Sequence, residues 1–82
     1  MKAIGIDLAK SVDWTVVCGL DEDGAVAMLE RWQGPWSETS SRIDALVGEV
    51  ACLADSTGVG DPIVEGLQKT RPRLEGFKFS ST

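Results

Sequence analysis

The lengths of the connections between apolar runs constrain this fold more than any other feature of the sequence. Residues 2–8 form a short, isoleucine-rich run, and residues 13–20 form a second, β-branched one. The turn signal Asp21-Glu22-Asp23-Gly24 separates this from a third run over residues 25–32. Short apolar runs bounded by turn formers read as strands. Connections this brief join antiparallel strands, because a parallel pair needs a crossover of about a dozen residues or more. The first three strands are therefore expected to form a meander.

Gly34-Pro35 breaks the pattern. Beyond it, Ile43, Leu46, Val47 and Val50 fall at the i, i+3, i+4, i+7 spacing of one helix face, with Ser37 or a neighbouring Ser/Thr as the cap. Residues 51–55 make a fourth, very apolar strand. Ser56-Thr57-Gly58-Val59-Gly60 is a glycine-rich turn, and Asp61-Pro62 suits the cap and first turn of a second helix. Ile63, Val64 and Leu67 supply its inner stripe, Pro72 closes it off, and residues 74–79 form a fifth strand. The element order is β-β-β-α-β-α-β. Right-handed crossovers then predict a mixed α/β sheet of order 3-2-1-4-5, with both helices on one face. Eighty-two residues hold one domain at most.

Strands one, two and four are apolar at nearly every position, the signature of a sheet buried on both sides. Two helices cover one face only. The chain is thus expected to be part of a larger domain, or to meet another subunit (a second copy included) across the bare face.

Composition narrows the chemistry. There is no histidine, which removes Ser-His-Asp and Cys-His catalysis and most zinc sites. Cys18 and Cys52 sit inside apolar runs and read as small buried hydrophobes. No apolar stretch has the length of a membrane span and the start lacks a signal-peptide pattern, so a cytoplasmic location is expected. The net charge of −5 argues against a general nucleic-acid coat. Lys69, Arg71, Arg73 and Lys78 nevertheless cluster near the end. They read either as a solvated helix end and strand or as a wall of a phosphate-tracking groove.

Asp7 ends the first strand and Asp55 the fourth. In the predicted order these strands are adjacent and parallel, so their C-terminal ends bring the two carboxylates side by side. A divalent cation relieves their repulsion, and hard oxygen ligands suit Mg²⁺ or Mn²⁺. Such a pair is a candidate catalytic metal site for phosphodiester hydrolysis. Taken singly, Asp7 reads as a strand end and Asp55 as a turn former; the coincidence of the two favours the metal site. Asp13 is either an outer-shell charge or a turn residue, and Asp61 reads as a helix cap. Lys10 and the amides of Gly58 and Gly60 are candidate phosphate contacts, the latter because they precede a helix N-terminus. Trp14 is expected in the core, and Trp32 and Trp36 at the helix entry.

The stretch Ile4-Gly5-Ile6-Asp7-Leu8-Ala9-Lys10-Ser11-Val12-Asp13-Trp14-Thr15 resembles the first strand and loop of the nuclease domains of phage terminase large subunits. Asp55-Ser56-Thr57-Gly58-Val59-Gly60-Asp61 resembles a second, more specific segment of that family, and Glu75-Gly76-Phe77-Lys78-Phe79-Ser80 looks like its fifth strand. The resemblance implies a ribonuclease H-like fold and a DNA-packaging motor whose nuclease cuts double-stranded phage DNA with two metal ions. Asp7 and Asp55 match the first and second acids of the family's triad. The third is expected past the last residue of this sequence, so residues 1–82 are expected to form a single, truncated nuclease domain, inactive or weak alone. No Gly-x-x-x-x-Gly-Lys-Ser/Thr loop of the family's ATPase half occurs. The setting implied is a bacterial host cell, with the gene carried by a phage or prophage.

Three other readings stay open. One is another ribonuclease H-like enzyme, such as a transposase or junction resolvase; some transposases begin with a similar Gly-Ile-Asp-x-x-Lys. Actin-like and sugar-kinase-like ATPases share the element order, with Mg²⁺ bound only together with ATP. A non-catalytic remnant that dimerises through the bare sheet face is the third.

Overall fold

The computed structural model describes residues 1–8, 14–57 and 61–78, the side chain of Asp61 aside. Its elements are β1 (Ala3–Asp7), β2 (Thr15–Leu20), β3 (Val26–Trp32), α1 (Trp36–Val47), β4 (Ala51–Asp55), α2 (Asp61–Gln68) and β5 (Leu74–Phe77). The five strands form one sheet of order β3-β2-β1-β4-β5. β1 and β2 pair antiparallel, as do β2 and β3, while β4 runs parallel to both β1 and β5. Order and directions are those expected from the connection lengths.

The β2–β3 turn is built as its residues demand. Asp21 Oδ1 accepts from the amides of Asp23 and Ala25 at 2.9 and 3.0 Å, and Gly24 takes the φ of +82° that a side chain would resist.

The helix starts differ from expectation. Ser37 does not cap α1: Pro35 stands at the N-cap with extended backbone and no side-chain bond. Its carbonyl accepts from the amides of Glu38 and Thr39, both at 3.1 Å. Proline pre-sets the chain direction here and lacks a donor of its own, so Ser37 falls inside the first turn. At the other end Gly48, at φ +56°, stops the helix before Val50. The amide of Val50 instead bonds the Val47 carbonyl at 3.1 Å, and its side chain packs at the core margin. Trp32 is buried as a link between sheet and helix, donating from Nε1 to Thr39 Oγ1 at 3.0 Å. Trp36 packs against the same core.

All core side chains lie on the helix-bearing face. Burial alternates along β1, with Ile4 and Ile6 inside and Ala3, Gly5 and Asp7 outside, and the partners Val17, Cys52, Ala54 and Leu74 continue the inner rows. Ile43 and Val47 from α1 and Val64 and Leu67 from α2 close this layer. The opposite face carries no helix among the described residues. There Val26, Leu29 and Leu53 are 62%, 66% and 49% exposed. The near-continuous apolar runs thus belong to a sheet that the described residues cover on one side. Trp14, expected in the core, is 47% exposed just before β2. It alternates with buried Thr15 and so falls on the open side.

Two arginines of the C-terminal basic group have structural duties. Arg71 donates from Nε and Nη2 to the Asp44 carbonyl at 2.9 and 2.7 Å and pairs with the Asp44 carboxylate at 3.1 Å. Arg73 Nη1 donates to the Glu49 carbonyl at 3.1 Å. Both tie the end of α1 to the start of β5, away from the strand ends that carry Asp7 and Asp55. These contacts favour the structural reading for Arg71 and Arg73.

Both cysteines are free thiols. Burial pushes the Cys52 thiol up to about 11, from an ordinary 9.0, so it stays protonated at neutral pH. Between those values the unfolded chain holds fewer protons than the folded one, and stability falls as pH rises through this window. The expected outcome at pH 8 is alkylation of half-buried Cys18, with Cys52 modified only on unfolding. Equal rates at both thiols, followed by mass spectrometry, would contradict the burial of β4.

Candidate metal centre on the open sheet face

The β1–β4 ladder places Ile4 opposite Cys52, Ile6 opposite Ala54 and Asp7 opposite Asp55. The amide of Leu8 extends the pairing by donating to the Asp55 carbonyl at 3.2 Å. Register partners in a parallel pair point to the same face. Ile6 and Ala54 are buried, so the next pair, Asp7 and Asp55, points to the open face. Neighbouring strands lie about 4.8 Å apart. Two carboxylates therefore project side by side from the C-terminal ends of parallel strands, Asp7 exposed and Asp55 half-buried.

Local bonds orient one of them. Asp55 Oδ1 accepts from the Thr57 amide at 3.0 Å and from the Thr57 hydroxyl. Ser56, turned to the inner side, bonds the Phe77 carbonyl through its amide at 2.8 Å and its hydroxyl at 3.0 Å. The Asp-Ser-Thr sequence thus anchors the end of β4 to β5 and turns the Asp55 carboxylate with two donors. Sequence reasoning missed this role of Thr57; the signal was an aspartate followed two positions later by a hydroxyl residue, an Asx-turn pattern.

The same row continues outward. Asp7 is opposite Val16, Val16 is opposite Arg31, and Asp55 is opposite Phe77. Arg31 stacks on Trp14, with Cζ 4.7 Å from the ring centroid.

Of the other candidates, Lys10, Asp13, Gly58 and Gly60 lie outside the described residues. Asp61 opens α2, and its side chain lies outside what is described, so its cap role is untested. Among the described residues no third His, Cys, Asp or Glu joins Asp7 and Asp55 in a ligand cluster. The donor set is two carboxylates without nitrogen or sulfur ligands, which fits a hard cation that keeps part of its water shell. A shallow groove of about 410 Å³ lies on the helix side, lined by Ser56, Val64, Glu65, Gln68, Gly76, Phe77 and Lys78. It runs between α2 and β5, off the face on which the carboxylate pair stands.

No protein-family model matches the chain. Terminase large subunits do. That of Thermus phage G20c is 45% identical over 69 residues, and that of Thermus virus P23-45 is 44% identical over 69 residues. Each match covers 78% of this chain and 14% of the relative. Among solved structures, the large terminase nuclease from thermophilic phage G20c with bound zinc superposes with a TM-score of 0.82 at 36% identity. That match covers 99% of this chain and 50% of the nuclease chain. In sequence and in fold alike, the chain is similar to the ribonuclease H-like nuclease domain of phage terminase large subunits, and it spans half of the solved example.

Proposed function

We propose that this chain contributes the Asp7–Asp55 metal site of a DNA endonuclease, the nuclease part of a terminase large subunit. The carrying observation is the direct register of the two carboxylates on one face at the C-terminal ends of β1 and β4. The kinship with terminases supports DNA as the partner, double-stranded in the family, and the host-cell cytoplasm as the setting. Asp7 and Asp55 would hold Mg²⁺ or Mn²⁺, and the chemistry such an ion supplies when bound is polarisation of a phosphodiester and activation of water. Asp55, held by Thr57, fixes the direction of its carboxylate; Asp7, exposed, is free to adjust. The solved relative is described with bound zinc. Here the absence of histidine and the burial of Cys52 favour the harder cations. Since no third acid joins Asp7 and Asp55 among the described residues, cleavage by these residues alone is expected to be weak or absent.

The test is Mn²⁺ titration of ¹⁵N-labelled protein, with Asp7→Asn and Asp55→Asn as controls. Paramagnetic broadening centred on residues 6–8 and 54–57, lost in both variants, is the expected result. Uniform or absent broadening at millimolar metal would sink the reading.

The open face favours a second proposal, that the chain self-associates through it. Val26, Leu29 and Leu53 are exposed on a face that carries no helix among the described residues, and an apolar sheet face is a surface that a second copy can cover. Sedimentation should show a concentration-dependent dimer that Leu29→Glu and Leu53→Glu convert to monomer. A monomer at all concentrations would rule this out.

A further inference from the structure

We propose that Arg31, braced by Trp14, binds a backbone phosphate of the nucleic-acid strand that reaches the Asp7–Asp55 pair. This rests on the nuclease reading. The geometry is that of a single cross-strand row. Asp55, Asp7, Val16 and Arg31 are successive register partners across β4, β1, β2 and β3, so all four project from the open face. Arg31 stands two strands from Asp7, about 10 Å at the backbone. A DNA strand rises about 3.4 Å per nucleotide, so one running along this row meets Arg31 within about three nucleotides of the carboxylates.

The Arg31–Trp14 arrangement suits that contact. The guanidinium carbon lies 4.7 Å from the indole centroid. A guanidinium held over an aromatic ring keeps its edge N–H donors available for bidentate contact with a phosphate. Among the described residues no carboxylate pairs with Arg31; the one ion pair joins Arg71 to Asp44. Core packing does not account for Trp14 either, since it is 47% exposed. The chain carries a net charge of −5, so a cation placed in line with two aspartates is a local feature and not part of a basic coat. Val16, half-buried between Asp7 and Arg31, adds no charge to the row. The contact reads phosphate and not base, so it orients the strand without choosing sequence.

Fluorescence anisotropy with a labelled DNA duplex of mixed sequence, in Mn²⁺ and across a salt series, tests this. Arg31→Ala should weaken binding on the order of tenfold and lower the salt slope by about one. Arg31→Lys should keep the slope and recover part of the affinity, and Trp14→Ala should weaken binding less than Arg31→Ala. Tryptophan emission should change on DNA addition in the wild type and stay unchanged in Trp14→Phe. Arg31 lies on an edge strand with an exposed side chain, so the amide spectrum of Arg31→Ala should stay native. Wild-type affinity and slope in Arg31→Ala would overturn the proposal, as would a wild-type chain that binds no duplex at low salt. Mn²⁺ broadening at Asp7 and Asp55 separates the two readings. If it is missing while the Arg31 slope change persists, the metal site falls and the phosphate contact stands; if it is present without a slope change, the reverse holds.

Discussion

Ile43→Ala is expected to lower the free energy of unfolding by about 3–4 kcal/mol. Ile43 is 0% exposed and stands between Thr39 and Val47 on the buried stripe of α1. Truncation removes three carbons from a site closed by the sheet beneath, and a stiff five-stranded sheet cannot collapse into the space. A chain of this length has a total stability of roughly 4–12 kcal/mol, so about a quarter or more is at stake. Urea unfolding should show a lowered midpoint with an unchanged slope. A loss under about 1 kcal/mol would mean that α1 is not docked as described.

Gly76→Val should be almost as damaging, for the opposite reason. Gly76 lies beside Ala54 in the β4–β5 ladder, on the inner face. A Cβ placed there would meet both methyls of Val64 at 2.9 Å. Val64 is a buried, β-branched residue of α2, and its χ1 is restricted in a helix, so turning aside is costly. The helix must lift off β5, at a cost of about 3 kcal/mol, the upper part of the overpacking range. Higher β propensity recovers only a fraction of this. Pairing Gly76→Val with Val64→Ala should restore much of the loss. An equally unstable double variant would show that the clash lies elsewhere.

These two positions differ in how they could be read. Ile43 follows from helical periodicity, because a residue at i+4 and i−4 from other inward positions has nowhere else to point. Gly76 offers no such cue. Nothing in Glu75-Gly76-Phe77 distinguishes a glycine that faces solvent from one that lets a helix approach; the answer lies in Val64, twelve residues earlier and on another element. The candidate site divides in the same way. Asp7 and Asp55 were legible because each ends a strand and connection lengths make those strands adjacent. Thr57 escaped notice because its value is local geometry, two donors on one carboxylate oxygen. The Arg31–Trp14 stack escaped because it joins residues seventeen apart through antiparallel register.

What the sequence by itself determined is topology. Short turns admit antiparallel neighbours only, helical crossovers bring parallel ones, and handedness orders them, so the β3-β2-β1-β4-β5 sheet and the Asp7–Asp55 pairing follow from spacing alone. Only the tertiary structure decided which face each row meets. Apolar residues at both parities of β1, β2 and β4 are compatible with either face being covered. The choice was made by Ile43, Val47, Val64 and Leu67, which bury one set of rows and leave Leu29, Leu53 and Trp14 to the other side. It likewise set Arg71 and Arg73 on carbonyls near the end of α1, far from the carboxylates that their charge suggested they would serve. Turn and helix formation depend on neighbours along the chain, whereas burial and charge pairing depend on neighbours in space.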